Sequence, residues 1–384
     1  MKHQDQTNEA IDLLKQLIAT PSLSRTESGA ADIVESFLQS KGCDTHRKEN
    51  NVWVIADGFD ENKPTILLDA HIDTVKPAGG WTHDPFTPEL TPDGLLYGLG
   101  SNDDGGSLVS LMQVFLMIDN KSKIANPSKE SAIETPFISA TETSIQDVKE
   151  RPYNLIFLAS AEEEVSGKNS IECVLPELPK IDFCIAGEPT GMQPAIAEKG
   201  LMVIDAVAHG RAGHAARNEG INSIYIAMED VTWVQNHKYE RQTELLGPVK
   251  QTVTIINAGT QHNVIPDECR FTIDVRTNEC YSNQEIFDEI AQNLKSEVKA
   301  RSTRLNSSRL SLEHPFVVRA KSLGLQPFGS PTLSNQALMP FPSVKIGPGD
   351  SARSHTADEY IKVSEIDEAI DLYLQLLEIN LTTL

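Results

Sequence analysis

The spacing of apolar residues in the first half of the chain predicts helices that alternate with short strands. Ile11, Leu14 and Ile18 recur at helical spacing, which predicts an amphipathic helix that Pro21 stops. A second helix is predicted from about Ser28 to Gln39. Apolar runs predict strands at 52–56, 65–68, 155–159 and 183–186, and a helical run lies at 108–118. This alternation predicts an α/β domain with a mainly parallel sheet.

From about Ala197 the pattern changes to longer strands around two helices. The predicted strands lie at 201–208, 252–256 and 270–275, and the predicted helices at 222–234 and 284–294. After about residue 308 the first pattern resumes and ends in a helix with Ser364 as its N-cap and Ile366 and Ile370 on its apolar face. We therefore predict a split first domain, 1–195 and 309–384, with an α+β domain, 196–308, inserted into it.

Residues 119–151 differ from the rest of the first domain. They are rich in Ser, Thr, Lys and Glu and have no sustained periodicity. The composition is typical of a flexible surface insertion between a helix and a strand.

The charge of the chain argues against two classes of partner. The formal net charge is −22, which would repel nucleic acid and an anionic membrane. The N-terminus has no apolar leader-like run, and no apolar stretch reaches membrane-spanning length. The five cysteines are scattered without paired spacing, which is typical of free thiols in a reducing compartment. A cytoplasmic protein is expected.

Acidic residues and histidines follow the predicted strands of the first domain. His71 and Asp73 come after the strand at 65–68, and their spacing puts both side chains on one face of an extended chain. Asp103 and Asp104 lie in a Gly-rich loop before a helix. That loop is not a phosphate-binding loop, because its acids would repel phosphate and no Lys-Ser/Thr pair follows. A rigidly held carboxylate at a metal suits the same pattern.

Three further sites repeat this arrangement. Glu162, Glu163 and Glu164 follow the strand at 155–159, Glu188 follows the strand at 183–186, and His355 lies in a loop of small residues before the last helix. Consecutive glutamates after a buried strand repel one another unless a cation is present. Each motif by itself is more often structural than functional, but five strand-end sites with these ligand types predict a centre for two metal ions.

The order of these motifs, HxDTV, YGxGxxD, EEE, GEPT and SHTADEY, closely resembles the acetylornithine deacetylase / succinyl-diaminopimelate desuccinylase / carboxypeptidase G family over nearly the whole chain. The resemblance implies a zinc-exopeptidase-like catalytic domain that binds two zinc or cobalt ions. It implies that Asp103 bridges the ions, that His71 and Glu188 complete one site, and that His355 and Glu164 complete the other. Glu163 is implied as the general base, Asp73 as the partner of His71, and the Asp103–Asp104 peptide bond as cis.

The resemblance extends to the inserted domain, for which it implies a ferredoxin-like dimerisation domain and a homodimer. The string HGRAGHAA contains His214, which is implied to reach the active site of the other subunit and to hold the reacting carbonyl. Asn263 and Arg276 are implied to bind the substrate carboxylate. The alternatives from the residues themselves are a surface loop for His214 and pairing with surface acids for Arg276.

Two local strings depart from the family pattern, and the substrate stays open. Asp104-Gly105 replaces the usual Met-Lys, and Asn335 lies in Ser-Asn-Gln-Ala where Ser-Asp-Ala is common. The expected reaction is removal of an acetyl or succinyl group from N-acylornithine or N-acylcitrulline in arginine biosynthesis. Succinyl-diaminopimelate cleavage and dipeptide cleavage are the alternatives within the family. An inactive metal-binding relative and an α/β ligand-binding protein are the alternatives of another class.

Overall fold

The computed structural model describes residues 2–125, 151–379 and 381. The predicted insertion at 119–151 lies mostly outside these residues, and the helix before it continues to Ala125. The helices are α1 Gln4–Ile18, α2 Ser28–Ser40, α3 Gly106–Ala125, α4 Ile171–Val174, α5 Ser223–Asn236, α6 Asn283–Asn293, α7 Pro315–Ser322 and α8 Val363–Leu376.

The strands alternate with these helices in the first part of the chain and cluster in the middle. They are β1 Thr45–Lys48, β2 Asn51–Ile55, β3 Thr65–His71, β4 Glu89–Leu90, β5 Leu95–Tyr97, β6 Asn154–Ser160, β7 Phe183–Ala186, β8 Ala195–Glu198, β9 Met202–His209, β10 Gly213–His214, β11 Lys250–Ala258, β12 Val264–Ile265, β13 Glu268–Arg276, β14 Glu297–Ala300, β15 Ser308–Arg309, β16 Phe328–Ser330, β17 Ser343–Lys345 and β18 Tyr360–Lys362.

The chain divides into two compact units. The first comprises Met1–Pro194, Ser311–Pro327 and Pro340–Leu384, and the second comprises Ala195–Leu310 and Phe328–Met339. The predicted inserted domain, 196–308, covers most of the second unit, which also contains 328–339.

The first unit is built on a mainly parallel sheet, as predicted. Its strands lie in the order β1-β2-β6-β3-β7-β17, and β6, β3, β7 and β17 are parallel to one another. The antiparallel strands β1 and β2 form one edge. Every residue of β3, β6 and β7 is buried, because a parallel sheet packs on both faces. The crossover from β3 to β6 includes α3.

The second unit contains a four-stranded antiparallel sheet with the order β11-β13-β9-β14. Along the chain its elements run β9, α5, β11, β13, α6, β14, which is the βαββαβ order of a ferredoxin-like fold. Apolar side chains of the sheet and both helices form its core, among them Ile204, Phe271, Ile273, Ala227 and Ile286.

The structure corrects the predicted N-cap of the last helix. Ser364 does not cap the last helix, because α8 begins at Val363 and Ser364 lies inside its first turn. Glu365 reaches back instead, and its carboxylate accepts a hydrogen bond from the backbone N–H of Lys362 at 3.0 Å.

All five cysteines are free, as predicted. Within the part of the chain that the structure describes, no helix is long and apolar enough to span a bilayer.

A buried histidine makes the stability of the first unit depend on pH. His314 is 5% exposed, its Nδ1 accepts the N–H of Phe316, and its ring packs on Phe183. Burial lowers the pKa of His314 to about 4. The unfolded chain therefore binds a proton at this residue below about pH 6.5 that the folded chain does not bind until about pH 4, so stability falls as pH falls through this window.

Replacement of this histidine should reduce that pH dependence. Between pH 7 and pH 5 the His314 contribution amounts to a loss of about 2 kcal/mol. We expect His314→Asn, whose side chain can still cap α7, to lose about 2 kcal/mol less than the parent between these pH values. Urea unfolding at both pH values measures the difference. Equal losses in parent and variant would contradict the assignment.

Candidate metal centre

The three central strands of the first unit end at one edge of the sheet, and each is followed by candidate ligands. The strand order is β6-β3-β7, and His71 pairs with Ser160 while Asp69 pairs with Ala186. Glu188 follows Ala186 by two residues and is therefore level with His71. Glu163 and Glu164 follow β6 in a turn. The parallel register thus brings side chains from three distant segments to one place.

Asp103 and His355 reach the same place from two loops. Asp103 lies in the loop between β5 and α3, and its Oδ1 is 3.2 Å from Nε2 of His71. Its Oδ2 is 3.6 Å from Nε2 of His355. Nε2 of His355 is also 3.0 Å from Oε2 of Glu164. One carboxylate therefore faces two histidines with different oxygens, an arrangement that can serve two cations at once.

The ligand atoms form two overlapping groups. His71, Asp103 and Glu164 form one group and His71, Glu163 and Glu188 form the other, and in each the ligand atoms lie within 4.8 Å of one another. His355 joins the first group through Glu164 and Asp103. All the residues implied as metal ligands, together with Glu163, are thus brought together in the first unit.

The charges of this cluster are strongly coupled. Burial, opposed by His71 and reinforced by the charges of Glu164 and Asp73, raises the pKa of Glu163 well above its usual value. Burial likewise raises the pKa of Glu188, against the opposing charge of Lys345. The hydrogen bond that His355 donates to the Glu164 carboxylate raises the pKa of His355 to about 9. Burial lowers the pKa of His71, but the hydrogen bond to Asp103 and the negative charge of Glu163 raise it by more. The pKa of His71 therefore lies well above its usual value.

These residues fit two divalent cations. Four carboxylates, from Asp103, Glu163, Glu164 and Glu188, share a small volume with two imidazoles. The raised pKa values of Glu163 and Glu188 mean that they resist ionisation without added positive charge. Imidazole nitrogen and carboxylate oxygen are the donors that zinc and its neighbours prefer. Cations would thus relieve the repulsion that the fold creates.

Asp73 contacts His71 through its backbone carbonyl, whereas a contact through its carboxylate was expected. Nδ1 of His71 is 2.8 Å from the backbone carbonyl oxygen of Asp73, while the nearer carboxylate oxygen lies 3.6 Å away. The carboxylate instead accepts the N–H groups of Glu163 at 2.9 Å and Glu164 at 3.2 Å, and the hydroxyl of Ser24 at 2.7 Å. Asp73 therefore orients the histidine through its backbone carbonyl and the glutamate turn through its carboxylate.

The peptide bond between Asp103 and Asp104 is cis, as predicted. The loop around it is tightly packed. Gly100 has φ 75°, and a Cβ there would lie 2.6 Å from Cγ2 of Thr74. Glycine is therefore required at this position.

The other implied substrate residues lie in the second unit. His214 is exposed on the short β10–β12 pair, where the N–H of Ala215 donates to the carbonyl of Asn263 at 3.0 Å. Arg276 ends β13, at the opposite end from Glu268, and its guanidinium pairs with Asp274. At about 3.3 Å per residue, β13 keeps Arg276 well away from the His214 and Asn263 pair of the same chain. Their roles in substrate binding stay predictions.

The two family departures lie in different surroundings. Asp104 is 1% exposed, and burial raises its pKa well above the usual value. Asn335 begins a turn in the second unit after Ser334, whose hydroxyl donates to Glu198 at 2.8 Å. Neither residue belongs to the ligand groups.

Sequence reasoning missed Lys345. This lysine is 2% exposed at the end of β17, and its charge favours ionisation of Glu188. It is paired in register with Ala186, two residues before Glu188. A lysine inside the apolar run before GPGD is the signal that could have indicated it, since lysine is rarely buried.

Comparisons with known proteins find similar sequences for both units of the chain. The model for the peptidase family M20/M25/M40 matches residues 67–126, which include His71 and Asp103, and the model for the peptidase dimerisation domain matches 196–302. An acetylornithine deacetylase from Proteus mirabilis is 28% identical, over 96% of each chain. A succinyl-diaminopimelate desuccinylase from Stenotrophomonas maltophilia is 25% identical, over 96% of this chain and 98% of that one.

Solved structures share the fold at lower identity. A tripeptidase from Staphylococcus aureus superposes with a TM-score of 0.71 at 19% identity, over 97% of this chain and 98% of that one. A dinuclear metal-binding peptidase of the M20 family from Bacillus subtilis gives a TM-score of 0.68 at 15% identity, with coverage of 97% and 98%. Both similarities extend over both units.

Proposed function

We propose that the chain, which matches the models of the peptidase family M20/M25/M40 and of the peptidase dimerisation domain in two separate parts, is a metal-dependent amidohydrolase that removes the acyl group from an N-acyl amino acid. The substrate class we propose is N-acylornithine or N-acylcitrulline, which would place the reaction in arginine biosynthesis in the cytoplasm. The observation that supports the reaction most is the position of Glu163, whose carboxylate lies beside His71 and Glu188 with the ligand atoms of all three within 4.8 Å of one another.

Glu163 has the role of general base. It accepts a proton from the water whose oxygen attacks the acyl carbon, and it then returns this proton to the amine nitrogen as the carbon–nitrogen bond breaks. The products are the free acid and the free amino acid. A buried carboxylate with a raised pKa suits both steps, since it can hold the proton between them.

The metal ligands divide into two sets around Asp103. His71 and Glu188 would hold one cation, His355 and Glu164 would hold the other, and Asp103 would contribute to both. Two zinc or cobalt ions bound there would polarise the amide carbonyl and lower the pKa of the attacking water. Asp73 fixes the orientation of His71 and of the Glu163–Glu164 turn through the hydrogen bonds described above.

The substrate is held by residues of the second unit. His214 from the second copy of a homodimer donates to the carbonyl oxygen as negative charge develops there. Asn263 and Arg276 bind the substrate carboxylate.

A substrate panel tests this function. We would incubate the zinc-loaded protein with N-acetylornithine, N-acetylcitrulline, N-succinylcitrulline, succinyl-diaminopimelate and a dipeptide, and measure amine release with and without a chelator. Chelator-sensitive release from an ornithine or citrulline derivative supports the proposal, and the acyl group follows from which derivative reacts. If only succinyl-diaminopimelate or the dipeptide is hydrolysed, the proposed substrate is wrong and that compound takes its place. If no amine is released although metal is bound, an inactive relative is favoured.

The second unit also supports a homodimer. β11 is an edge strand of the four-stranded sheet, and Ile255 and Ile256 on it are each 52% exposed. α5, which packs beside β11, exposes Tyr225 and Met228. An exposed apolar edge strand favours association unless another chain covers it. We propose that β11 and α5 face the same elements of a second copy.

Placing a charge on this edge should separate the copies. We expect Ile255→Lys to elute as a monomer in size-exclusion chromatography with light scattering, because a desolvated lysine opposes edge pairing. Val318→Lys is the matched control, since Val318 is 54% exposed on α7 of the first unit. A dimeric Ile255→Lys variant, or equal dissociation of both variants, would contradict the proposed surface.

A further inference from the structure

Glu359, which the mechanism does not use, anchors the loop that contains Asp103. Its side chain is 2% exposed, and its carboxylate accepts the backbone N–H groups of Gly100 at 3.1 Å, Asn102 at 2.9 Å and Asp103 at 2.9 Å. Its own backbone carbonyl accepts the N–H of Gly98 at 3.0 Å. A carboxylate that binds several buried N–H groups is a strong, directional anchor.

Asn102 anchors the opposite loop in return. Its side chain is fully buried, and its Nδ2 donates to the carbonyl of Asp350 at 3.1 Å and to Oγ of Ser354 at 3.2 Å. Its Oδ1 accepts the N–H of Asp350 at 3.0 Å. Gly349 leaves room for this amide, because a Cβ there would lie 2.3 Å from Oδ1. These contacts hold the backbone of Asp350, five residues before His355, and the hydroxyl of Ser354, which directly precedes His355.

The two loops therefore hold each other. A side chain four residues after His355 fixes the backbone of Asp103, and a side chain one residue before Asp103 fixes the backbone before His355. We propose that Asn102 and Glu359 are positioning residues that set the separation of Asp103 and His355, and thereby the affinity for the cation shared by Asp103, Glu164 and His355. This inference rests on the proposed metal centre.

The anchoring is directed at one of the two cation positions. Asn102 and Glu359 contact the loops of Asp103 and His355, whereas His71 and Glu188 are fixed by β3 and β7 of the sheet. Loss of either anchor should therefore affect the His355 cation more than the His71 cation. A residue that only stabilised the fold would weaken both cations or neither.

Asn102→Ala tests this directly, with Asn154→Ala as its matched control. Asn154 is a buried asparagine at the opposite end of β6, where its Nδ2 donates to the carbonyls of Asp60 at 2.8 Å and Lys63 at 3.0 Å. Each metal-free variant is titrated with cobalt, and the two dissociation constants are measured by chelator competition. We expect Asn102→Ala to weaken the second cation about 10- to 100-fold and to leave the first unchanged. Asn154→Ala should change neither.

Glu359→Gln probes the same anchor from the other loop. The amide cannot accept with its NH2 group, so at least one of the three N–H groups loses its partner. Because Asp103 contributes to both cation positions and His355 to only one, we expect the second cation to weaken more than the first. Parental affinity for both cations in the Asn102 and Glu359 variants would overturn the inference, as would an equal loss in Asn154→Ala. If the parent protein itself binds fewer than two cobalt ions, the proposed metal centre fails and this inference fails with it.

Discussion

Replacing Glu163 with glutamine is expected to lower kcat by about 10²- to 10⁴-fold while both metal ions stay bound. Glutamine keeps the shape of the side chain but cannot take a proton from water or return it to the amine. The five proposed metal ligands, His71, Asp103, Glu164, Glu188 and His355, remain in place. Steady-state kinetics on a substrate identified by the panel, together with the metal content of the same sample, measures both parts of the expectation.

The neighbouring glutamate provides a matched control. Glu162 belongs to neither ligand group, and its carboxylate accepts the side-chain N–H of Asn169 at 2.9 Å. Glu162→Gln retains an oxygen for this contact and should keep kcat within a few-fold of the parent. An active Glu163→Gln variant, or an equal loss in Glu162→Gln, would remove Glu163 from the role of general base.

Replacing Asp103 with asparagine should disrupt both cation positions at once. Its two carboxylate oxygens face His71 and His355 separately, and an amide offers only one oxygen and no negative charge. We expect the affinity for both cations to fall by more than the roughly 10- to 100-fold typical of losing an outer-sphere partner. Turnover should fall below detection. Elemental analysis and chelator competition measure the metal loss.

Asp104→Asn is the control for this variant because it makes the same change one residue later. Asp104 belongs to neither ligand group, and its raised pKa favours the neutral acid, which asparagine resembles in shape and charge. This variant should bind both cations as the parent does. If Asp103→Asn retained two cations with parental affinity, Asp103 would not be a bridging ligand.

Much of the fold follows from local patterns in the sequence. The strand at Phe183–Ala186 begins and ends as its apolar run predicts. The βαββαβ order of the second unit follows from apolar strands around two helical stretches. β3 is longer than predicted and runs through His71, because polar residues at a buried strand end continue the pairing with β6. Ser364 misled the prediction because a serine in a first turn looks the same as a cap.

The candidate ligands were predictable for a different reason. Each follows a buried strand or lies in a Gly-rich loop. Because the ends of parallel strands meet at one edge of a sheet, the sequence alone predicts that His71, Glu163 and Glu188 lie together. The resemblance to a known family supplied the bridging role of Asp103 and the pairing of His355 with Glu164. The structure adds the distances that make these roles testable.

The supporting contacts could not be predicted, because they join residues far apart in the sequence. The Asp73 carboxylate binds N–H groups ninety residues away, and the Glu359 carboxylate binds N–H groups more than 250 residues away. Lys345 lies near Glu188 only through the register of β17 on β7. Such long-range contacts depend on strand order and loop paths, which local spacing does not determine.

The central claim is that the strand ends of the first unit form a centre for two metal ions. The most direct measurement is the metal content of the purified protein after loading with zinc and removal of excess, with activity followed on the same sample. The account predicts two zinc ions per chain and loss of turnover when a chelator removes them. A protein that retains no stoichiometric zinc, or that hydrolyses its substrate unchanged after complete metal removal, would contradict it.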